Sequence, residues 1–282
     1  MFSAPVRAIY EKGNDMRIEI NVLGPLEVSI GGISVVPTAS KPSQLLAILA
    51  LNAGRVVTVN SLTDELWASH PPRSVVSTLH TYILKLRRNL ARALADQGEL
   101  TAKDILITRR AGYLLDVEPT AVDAIRYEQL SSAGRKAVNE SDPERASRTL
   151  AEALRLWRGP ALADLPIGPQ LEIEAMRLDE NRLGDLHLRI EADLGLGRHH
   201  QLLGELATLC MRHPMLENFC AQHMIALYRS GRQSQALTAY RRLRTEMVEQ
   251  LGVEPSPRVR QLHHAILTGR TPVENANVVY NT

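Results

Sequence analysis

The stretch from Pro71 to Leu94 combines residue types and spacing that suit contact with a nucleic acid. Two prolines open it and more than twenty residues follow without Gly or Pro, which predicts a helix of about six turns. At about 100° per residue, one face of this helix has small hydroxyl residues first, cations after them and no acid. Slim side chains let a helix enter a groove, and Lys or Arg can reach bases or phosphates there. This polar face consists of Ser74, Ser77, Thr78, Thr81, Lys85, Arg88 and Arg92.

The other side of the same helix has an apolar stripe at helical spacing. We expect this stripe to pack on a core and to turn the polar face outward. Taken alone, the helix leaves an alternative open, in which it is an ordinary amphipathic helix whose polar face is only solvated. The stripe consists of Val76, Leu79, Ile83, Leu86 and Leu90.

Positive charge is concentrated around this helix. Between Arg73 and Tyr113 the sequence has eight cations and three acids, a local charge of +5, whereas the residues from Pro119 onward have 20 of each. The formal charge of +2 for the 282 residues therefore averages over unlike halves. A basic segment of this kind favours a polyanionic partner.

The residues before the helix predict a small sheet and two shorter helices. Apolar and polar residues alternate over residues 18–22, and two more antiparallel strands are expected at residues 26–30 and 33–36. Helices are expected at residues 40–52 and 61–67, and the second is expected to be capped by Asn60 or Ser61. The two acids expected near the positive end of this second helix are Asp64 and Glu65.

The residues beyond the long helix predict a hairpin. Residues 105–109 and 113–117 have the pattern of two strands joined by a turn at Ala111-Gly112, with Arg109 and Arg110 beside the tip. Arginines at such a tip can contact phosphates or enter a minor groove, and the basic helix in front of them favours this interpretation over simple solvation. The second and third helices form a helix-turn-helix that presents the long helix to a major groove. The element order therefore predicts an N-terminal winged helix-turn-helix.

The second half of the chain predicts an all-α domain of helical repeats. Leu196-Gly197-Arg198-His199 recurs 34 residues later as Ser230-Gly231-Arg232-Gln233, and Leu206 falls opposite Tyr240. A period of about 34 residues is the signature of tetratricopeptide-like (TPR-like) helix pairs, which bury their apolar faces by stacking on one another. Such a domain serves as a binding surface for a protein or ligand, or only as a dimerisation or packing module, and the sequence leaves both open. The fold class is thus mainly α with a small β component.

Few residues have the spacing that catalysis, a cofactor or a metal ion requires. Cys210 and Cys220 are expected to be buried thiols, and the adjacent histidine pairs in the sequence are poorly placed to chelate a metal. No Gly-Lys dipeptide is present for a Walker-type phosphate loop. Glu172 and Glu174 lie two residues apart, on different sides of a helix, and do not form a carboxylate pair. We therefore expect no enzyme activity, no cofactor, no metal and no membrane span.

The chain resembles a known family in several successive patterns. Three runs of this chain resemble an OmpR-type winged helix, in the version found in the Streptomyces antibiotic regulatory proteins (the SARP family). They are KPSQLLAILALNAGRVVTVNSLTDELW, PPRSVVSTLHTYILKLRRNL and ILITRRAGYLLDV. The run from ADLGLGRHHQLL to QLGVEPSP resembles the bacterial transcriptional activator domain of that family. The resemblance implies a winged helix at residues 17–118 and an activator domain at 119–268. Residues 1–16, which show no periodicity, are expected to form a flexible arm, and residues 269–282 a tail.

The resemblance also implies a function. A SARP family member is expected to be a pathway-specific transcriptional activator that binds direct repeats in double-stranded DNA at or near the promoter −35 region. Two protomers would bind side by side and recruit RNA polymerase holoenzyme, through its sigma factor and the C-terminal domain of its alpha subunit, to antibiotic biosynthesis genes. The expected location is cytoplasmic and nucleoid-associated. The alternative is a scaffold or sensor whose winged helix contacts a protein, and the acid-free helix face favours DNA.

The residues expected at the DNA divide into two sets. The first set lies on the groove face of the long helix, and the second is expected on phosphates, in the minor groove or on the wing. The groove set is Ser77, Thr78, Thr81, Lys85 and Arg88. The backbone and wing set is Lys41, Arg73, Arg87, Arg92, Arg109 and Arg110.

Overall fold

In the computed structural model, the alternating residues near the N-terminus form the predicted three-stranded antiparallel sheet. Strand β1 (Ile18–Asn21) pairs with β2 (Glu27–Ile30), and β2 pairs with β3 (Ile33–Ser34). Ile20 lies opposite Val28, and both side chains are buried because directly paired residues of neighbouring strands point to the same face of the sheet.

The structure describes residues 17–68, 70–95 and 100–269. The arm predicted at residues 1–16 and the tail beyond Gly269 lie outside these residues. The chain divides into two units, the first made of the residues up to Ser132 with Ala151–Leu183, and the second of Ala133–Leu150 with the residues from Gly184 onward. The domain boundary between residues 118 and 119 stays a prediction.

The first unit contains the elements of a winged helix-turn-helix. They are α1 (Ser40–Leu51), β4 (Val56–Thr58), α2 (Val59–Trp67), α3 (Val75–Leu94), α4 (Ala102–Ile105), β5 (Leu106–Arg109) and β6 (Gly112–Leu115). The last three strands form a second sheet in the order β4-β6-β5. Helix α1 is buried on every side from Pro42 to Ala50, so the core of the unit is built around it.

Three details of these elements differ from the prediction. The sequence does not predict β4, because three residues are too few to show an alternating pattern. It does not predict α4 either, a single turn that Thr101 and Asp104 start with a capping box. The wing strands are shifted by one or two residues, and Arg110-Ala111 forms the turn instead of Ala111-Gly112.

The predictions for α2 are wrong in two respects. Thr58 caps the helix, because its hydroxyl accepts a hydrogen bond from Ser61 N (3.1 Å), and neither Asn60 nor Ser61 is the cap. The helix therefore begins earlier than expected. Asp64 and Glu65 consequently lie in its last turns and not near its positive end, and Glu65 is only 1% exposed.

Helix α3 begins later than predicted, at Val75, so the two prolines precede it. The predicted apolar stripe packs on the core of the first unit with one exception. Val76 lies in the first turn of the helix and is 56% exposed, so the stripe begins one turn further along. Its buried members are Leu79, Ile83, Leu86 and Leu90.

Three helices contribute residues to both units, and they are α5 (Asp123–Asn139), α6 (Pro143–Leu154) and α7 (Pro169–Gly195). In the first unit, α5 starts with a carboxylate that accepts hydrogen bonds from Val22 N (2.8 Å) and Leu23 N (3.0 Å), just after β1. Burial raises the pKa of Asp123, and these two backbone N–H groups oppose the shift. The first sheet is therefore tied to the start of α5.

The buried carboxylate of Glu65 accepts hydrogen bonds at the start of α7. Its donors are the backbone N–H groups of Gly168 (2.6 Å), Gln170 (2.9 Å) and Leu171 (3.1 Å), and the side-chain amide of Gln44 in α1 (2.9 Å). The first N–H groups of a helix have no partner within it, so a carboxylate placed there satisfies them and faces the positive end of the helix dipole. One side chain therefore joins α1, α2 and α7.

The second unit contains the predicted helical repeat. Its further helices are α8 (His199–Arg212), α9 (Glu217–Arg229), α10 (Gln233–Leu251) and α11 (Pro257–Leu267). Helices α8 and α10 start 34 residues apart, and each follows a glycine, Gly197 or Gly231, with φ of +74°. Glycine adopts this left-handed conformation without strain, so the repeated Gly-Arg marks the same turn in both repeats.

Cys210 and Cys220 are free thiols in the second unit; Cys220 is buried as predicted, whereas Cys210 is only half-buried. Burial raises the pKa of Cys210 to about 11 and that of Cys220 to about 12. Within the described residues, no three His, Cys, Asp or Glu side chains are grouped so that they could hold a metal ion. No helix in the described part of the chain is both long enough and apolar enough to cross a membrane.

A histidine and an acid face each other on α7 in the second unit. His187 Nε2 lies 3.6 Å from Glu191 Oε2, one helical turn further along. Burial raises the pKa of Glu191 from 4.5 to about 7, with an opposing effect from Arg258, and burial lowers the pKa of His187. The folded protein therefore keeps a proton on Glu191 at pH values at which the unfolded chain has lost it.

Glu65→Ala is expected to destabilise the protein by about 3 kcal/mol, because it leaves buried N–H donors without a partner. Urea denaturation at neutral pH measures this change in the free energy of unfolding. Glu172→Ala is the matched control, since Glu172 is exposed in the first turn of the same helix, and it is expected to cost less than about 1 kcal/mol. Equal effects of the two substitutions would show that Glu65 does not hold the start of α7.

Glu191→Gln is expected to gain stability relative to the parent as the pH rises. The unfolded carboxyl loses its proton near pH 4.5 and the folded one near pH 7, so ionisation in this window destabilises the parent but not the variant. The difference in free energy of unfolding should grow by about 3 kcal/mol between pH 4.5 and pH 8. Urea denaturation at several pH values tests this, with the exposed Glu249→Gln as the control. A difference that does not change with pH would contradict the prediction.

Candidate DNA-binding surface

Aromatic contacts on both sides of α3 fix its orientation in the first unit. Tyr82 stacks on Trp67 at the end of α2, with ring centroids 6.1 Å apart. His80 packs edge-on against Tyr113 of β6, with centroids 6.4 Å apart. Together with the buried stripe, these contacts hold the opposite face of α3 towards solvent.

Two cations of the backbone and wing set have partners within the protein. Arg87 Nε and Nη2 donate to Leu106 O (3.1 and 2.7 Å), and Nη2 also donates to Thr108 Oγ1 (2.8 Å), which ties α3 to β5. The ammonium group of Lys41 donates to Leu66 O at the end of α2. Contacts of these two side chains with DNA stay predictions, but both also have a structural role.

The groove set lies on the face of α3 that points away from the core. Its hydroxyl groups donate back to the helix, from Ser77 Oγ and Thr78 Oγ1 to Ser74 O (3.0 Å each) and from Thr81 Oγ1 to Ser77 O (2.9 Å). The hydroxyl oxygens keep lone pairs for a partner, while the two cations are the strong donors of the face. The exposed members are Ser77, Thr81, Lys85 and Arg88, and Thr78 is half-buried.

The remaining cations of the backbone and wing set are exposed. Because α3 contains no acid over its 20 residues, no carboxylate on the helix itself weakens the positive potential of this face. An uncompensated potential of this kind attracts the phosphate backbone and is sensitive to salt. The exposed cations of this set are Arg73, Arg92, Arg109 and Arg110.

The wing hairpin is fixed at its base and exposed at its tip. Arg109 pairs with Gly112 at the end of the ladder, and Arg110 lies in the turn. A Cβ atom at Gly112 would lie 1.9 Å from Val57 O, so only glycine lets β6 come this close to β4. Both arginines are exposed beyond this close contact.

Sequence reasoning missed one side chain on the exposed face of α3. Leu84 is 53% exposed, although its type suggests a place in the apolar stripe. The helical spacing indicates this exposure, because Leu84 follows Ser77 by seven residues, about two turns, and so lies on the same side of the helix. A leucine therefore lies among the polar residues of the groove set.

These features define a class of protein. An exposed, acid-free helix face with cations, held outward by a buried stripe and followed by a hairpin with two exposed arginines, is the arrangement of a winged helix-turn-helix DNA-binding module. In this chain, a TPR-like helical domain follows the module.

Comparisons with known proteins agree with this class. Residues 34–115 match the family model described as "Transcriptional regulatory protein, C terminal", and residues 122–267 match the model of the "Bacterial transcriptional activator domain". The chain is 51% identical to the regulatory protein DnrI of Streptomyces peucetius over 250 residues, which cover 89% of this chain and 92% of that protein. It is 39% identical to the transcriptional regulator RedD of Streptomyces coelicolor over 255 residues, which cover 89% of this chain and 70% of that protein.

A solved structure is similar as well. It is that of Mycobacterium tuberculosis EmbR in complex with a low-affinity phosphopeptide, with a TM-score of 0.82, 34% identity, and coverage of 91% of this chain and 66% of that one. The chain therefore belongs to the SARP family, with an OmpR-type winged helix and a bacterial transcriptional activator domain. It is a transcriptional regulator and not an enzyme. The predicted family and fold class are confirmed, and the contacts of individual residues with DNA stay predictions.

Arg88→Ala and Arg92→Ala are expected to affect DNA binding in different ways. Loss of a base contact by Arg88→Ala should cost about 1–3 kcal/mol and relax specificity at one base pair, and Lys85→Ala should behave similarly. Loss of a phosphate contact by Arg92→Ala should weaken binding to all sequences and reduce the salt slope by about one. Titrations with specific and random DNA at several salt concentrations measure both effects.

The control for these titrations is Arg148→Ala, which removes an exposed arginine from α6. It is expected to bind both DNAs like the parent. If folded Arg88→Ala and Lys85→Ala proteins also bind like the parent, the assignment of α3 to the groove is wrong.

Proposed function

We propose that this regulator activates antibiotic (secondary-metabolite) biosynthesis genes by binding direct repeats at or near the −35 region of their promoters. The observation that carries the proposal is the acid-free, outward face of α3 with its exposed Lys85 and Arg88. A helix face that contacted a protein would have no need to exclude carboxylates over 20 residues. The similarity to the regulators DnrI and RedD of Streptomyces supports the choice of target genes.

In the proposed complex, α3 enters the major groove and the wing contacts the adjacent backbone or minor groove. Slender residues in the first half of the face allow close approach, and Lys85 and Arg88 reach base edges further along. Arg109 and Arg110 at the tip of the hairpin then lie near the next phosphates. Arg73, just before α3, and Arg92, in its last turn, strengthen binding without reading sequence.

Two protomers bind the direct repeats side by side and in the same orientation. Repeats related by translation bring unlike surfaces of the two copies together, in contrast to the self-complementary contact on a palindrome. Both copies meet the same face of the duplex if the repeats are spaced by a whole number of turns, about 10.5 base pairs each.

The bound pair activates transcription by contact with RNA polymerase holoenzyme. A protein bound at the −35 region lies beside the sigma factor and within reach of the C-terminal domain of the alpha subunit. Favourable contacts there compensate for a −35 element that sigma engages poorly, because anything that binds the promoter complex selectively raises its population. The protein would act in the cytoplasm, at the nucleoid.

Chromatin immunoprecipitation followed by footprinting of the strongest site tests the proposal. We expect protection of tandem repeats near a −35 element, and run-off transcription with purified holoenzyme should rise when the protein is added. An Arg88→Ala, Arg92→Ala double variant provides the control, and it should lose both effects. Absence of enriched DNA in cells that contain the protein would contradict the proposal and favour a scaffold or sensor.

A further inference from the structure

The exposed side of α3 has a leucine at the edge of the groove set. Leu84 is 53% exposed. At about 100° per residue, it lies about 20° from Ser77 and about 40° from Arg88 around the helix axis. A single exposed leucine elsewhere on a surface would need no explanation. This one lies beside Ser77 and Arg88, two residues that the proposed complex places in the groove.

The first half of the same face is less polar than its sequence suggests. Ser77, Thr78 and Thr81 already use their hydroxyl hydrogens on backbone carbonyl groups of α3. These side chains therefore add hydrocarbon and lone pairs to the surface but no hydrogen-bond donor. Val76, in the first turn, is a further exposed apolar side chain, at 56%. Leu84 is thus the largest apolar group of a surface that has few donors until Lys85.

The floor of the major groove offers one group that suits such a surface. Among the four bases, only thymine presents a methyl group there, whereas the other base edges present donors or acceptors. An aliphatic side chain gains from contact with the methyl group because both lose water-exposed apolar surface. We infer that Leu84 is a specificity-determining residue, which contacts the C5-methyl group of a thymine in the bound site. This inference rests on the proposed entry of α3 into the major groove.

The same contact also selects against other base pairs. A leucine placed against the amino group of cytosine or the O6 atom of guanine would remove water from a polar group and give it no partner. Specificity at this position therefore comes from a favourable contact with thymine and an unfavourable one with the alternatives.

Replacement of thymine by deoxyuridine in the footprinted operator tests the inference. This change removes only the methyl group and keeps base pairing and the hydrogen-bonding edge. Single deoxyuridine replacements through the repeats, titrated with the full-length protein, should identify a position at which affinity falls about fourfold, the effect expected for one buried methyl group. With Leu84→Ala, thymine and deoxyuridine at that position should bind equally well.

Two variants control this experiment. Leu84→Met keeps an apolar side chain of similar volume and should retain the preference for thymine. Ile173→Ala removes an apolar side chain from α7 that is even more exposed (64%) and should leave all affinities unchanged. Leu84 lies at the surface, so Leu84→Ala is expected to unfold at the same temperature as the parent.

The outcomes separate the inference from the proposed function. If the parent protein shows no preference for any DNA sequence, the proposed function fails and the inference fails with it. If the parent binds its operator but no deoxyuridine position lowers affinity, or if Leu84→Ala keeps the same preference for thymine, the inference alone is wrong.

Discussion

The arrangement of the first unit depends on one buried carboxylate. Glu65 lies near the end of α2, yet its carboxylate accepts hydrogen bonds from three backbone N–H groups at the start of α7 and from the side-chain amide of Gln44 in α1. A buried carboxylate is tolerable only when donors surround it, and the first turn of a helix supplies them. Helix α2, which precedes α3, is therefore held by both α1 and α7. Because Trp67, two residues after Glu65, stacks on Tyr82, this constraint reaches α3 itself.

The sequence predicted those parts of the fold that a local pattern specifies. Alternation gave the N-terminal strands, the Gly-Arg echo gave the repeat, and the spacing of leucines gave the buried side of α3. Features that depend on a distant partner could not be predicted in this way. A glutamate is normally expected at the surface, and Gly168, which donates to Glu65, lies 103 residues away in the sequence. Strand β4 exists because β6 pairs with it, and its three residues carry no pattern of their own.

The same division applies to the candidate site. The acid-free face of α3 could be read from residue types at helical spacing, because an exposed helix face depends only on which side is buried. The partners of Lys41 and Arg87 could not be predicted from the sequence. Both are backbone carbonyl groups, at the end of α2 and on β5, and every residue has such a group whatever its type. The exposure of Leu84 was not predicted, because leucine is typical of a core, although its spacing from Ser77 places it on the exposed side of the helix. A cation therefore indicates a binding surface reliably only when the structure leaves its charged group exposed.

The first unit is built from two chain segments, and this affects how a regulator with a new target could be engineered. Its residues come from two separate stretches of the chain, the second being Ala151–Leu183, and that stretch supplies the donors around Glu65. A chimera joined at residue 118 would place the winged helix beside the first turn of α7 from another protein, and Glu65 would lose the backbone donors that it has in this chain. Grafts that transfer both stretches together keep this interface native. Substitution of exposed side chains on α3, the helix proposed to contact the bases, leaves these hydrogen bonds in place, because α3 takes no part in them.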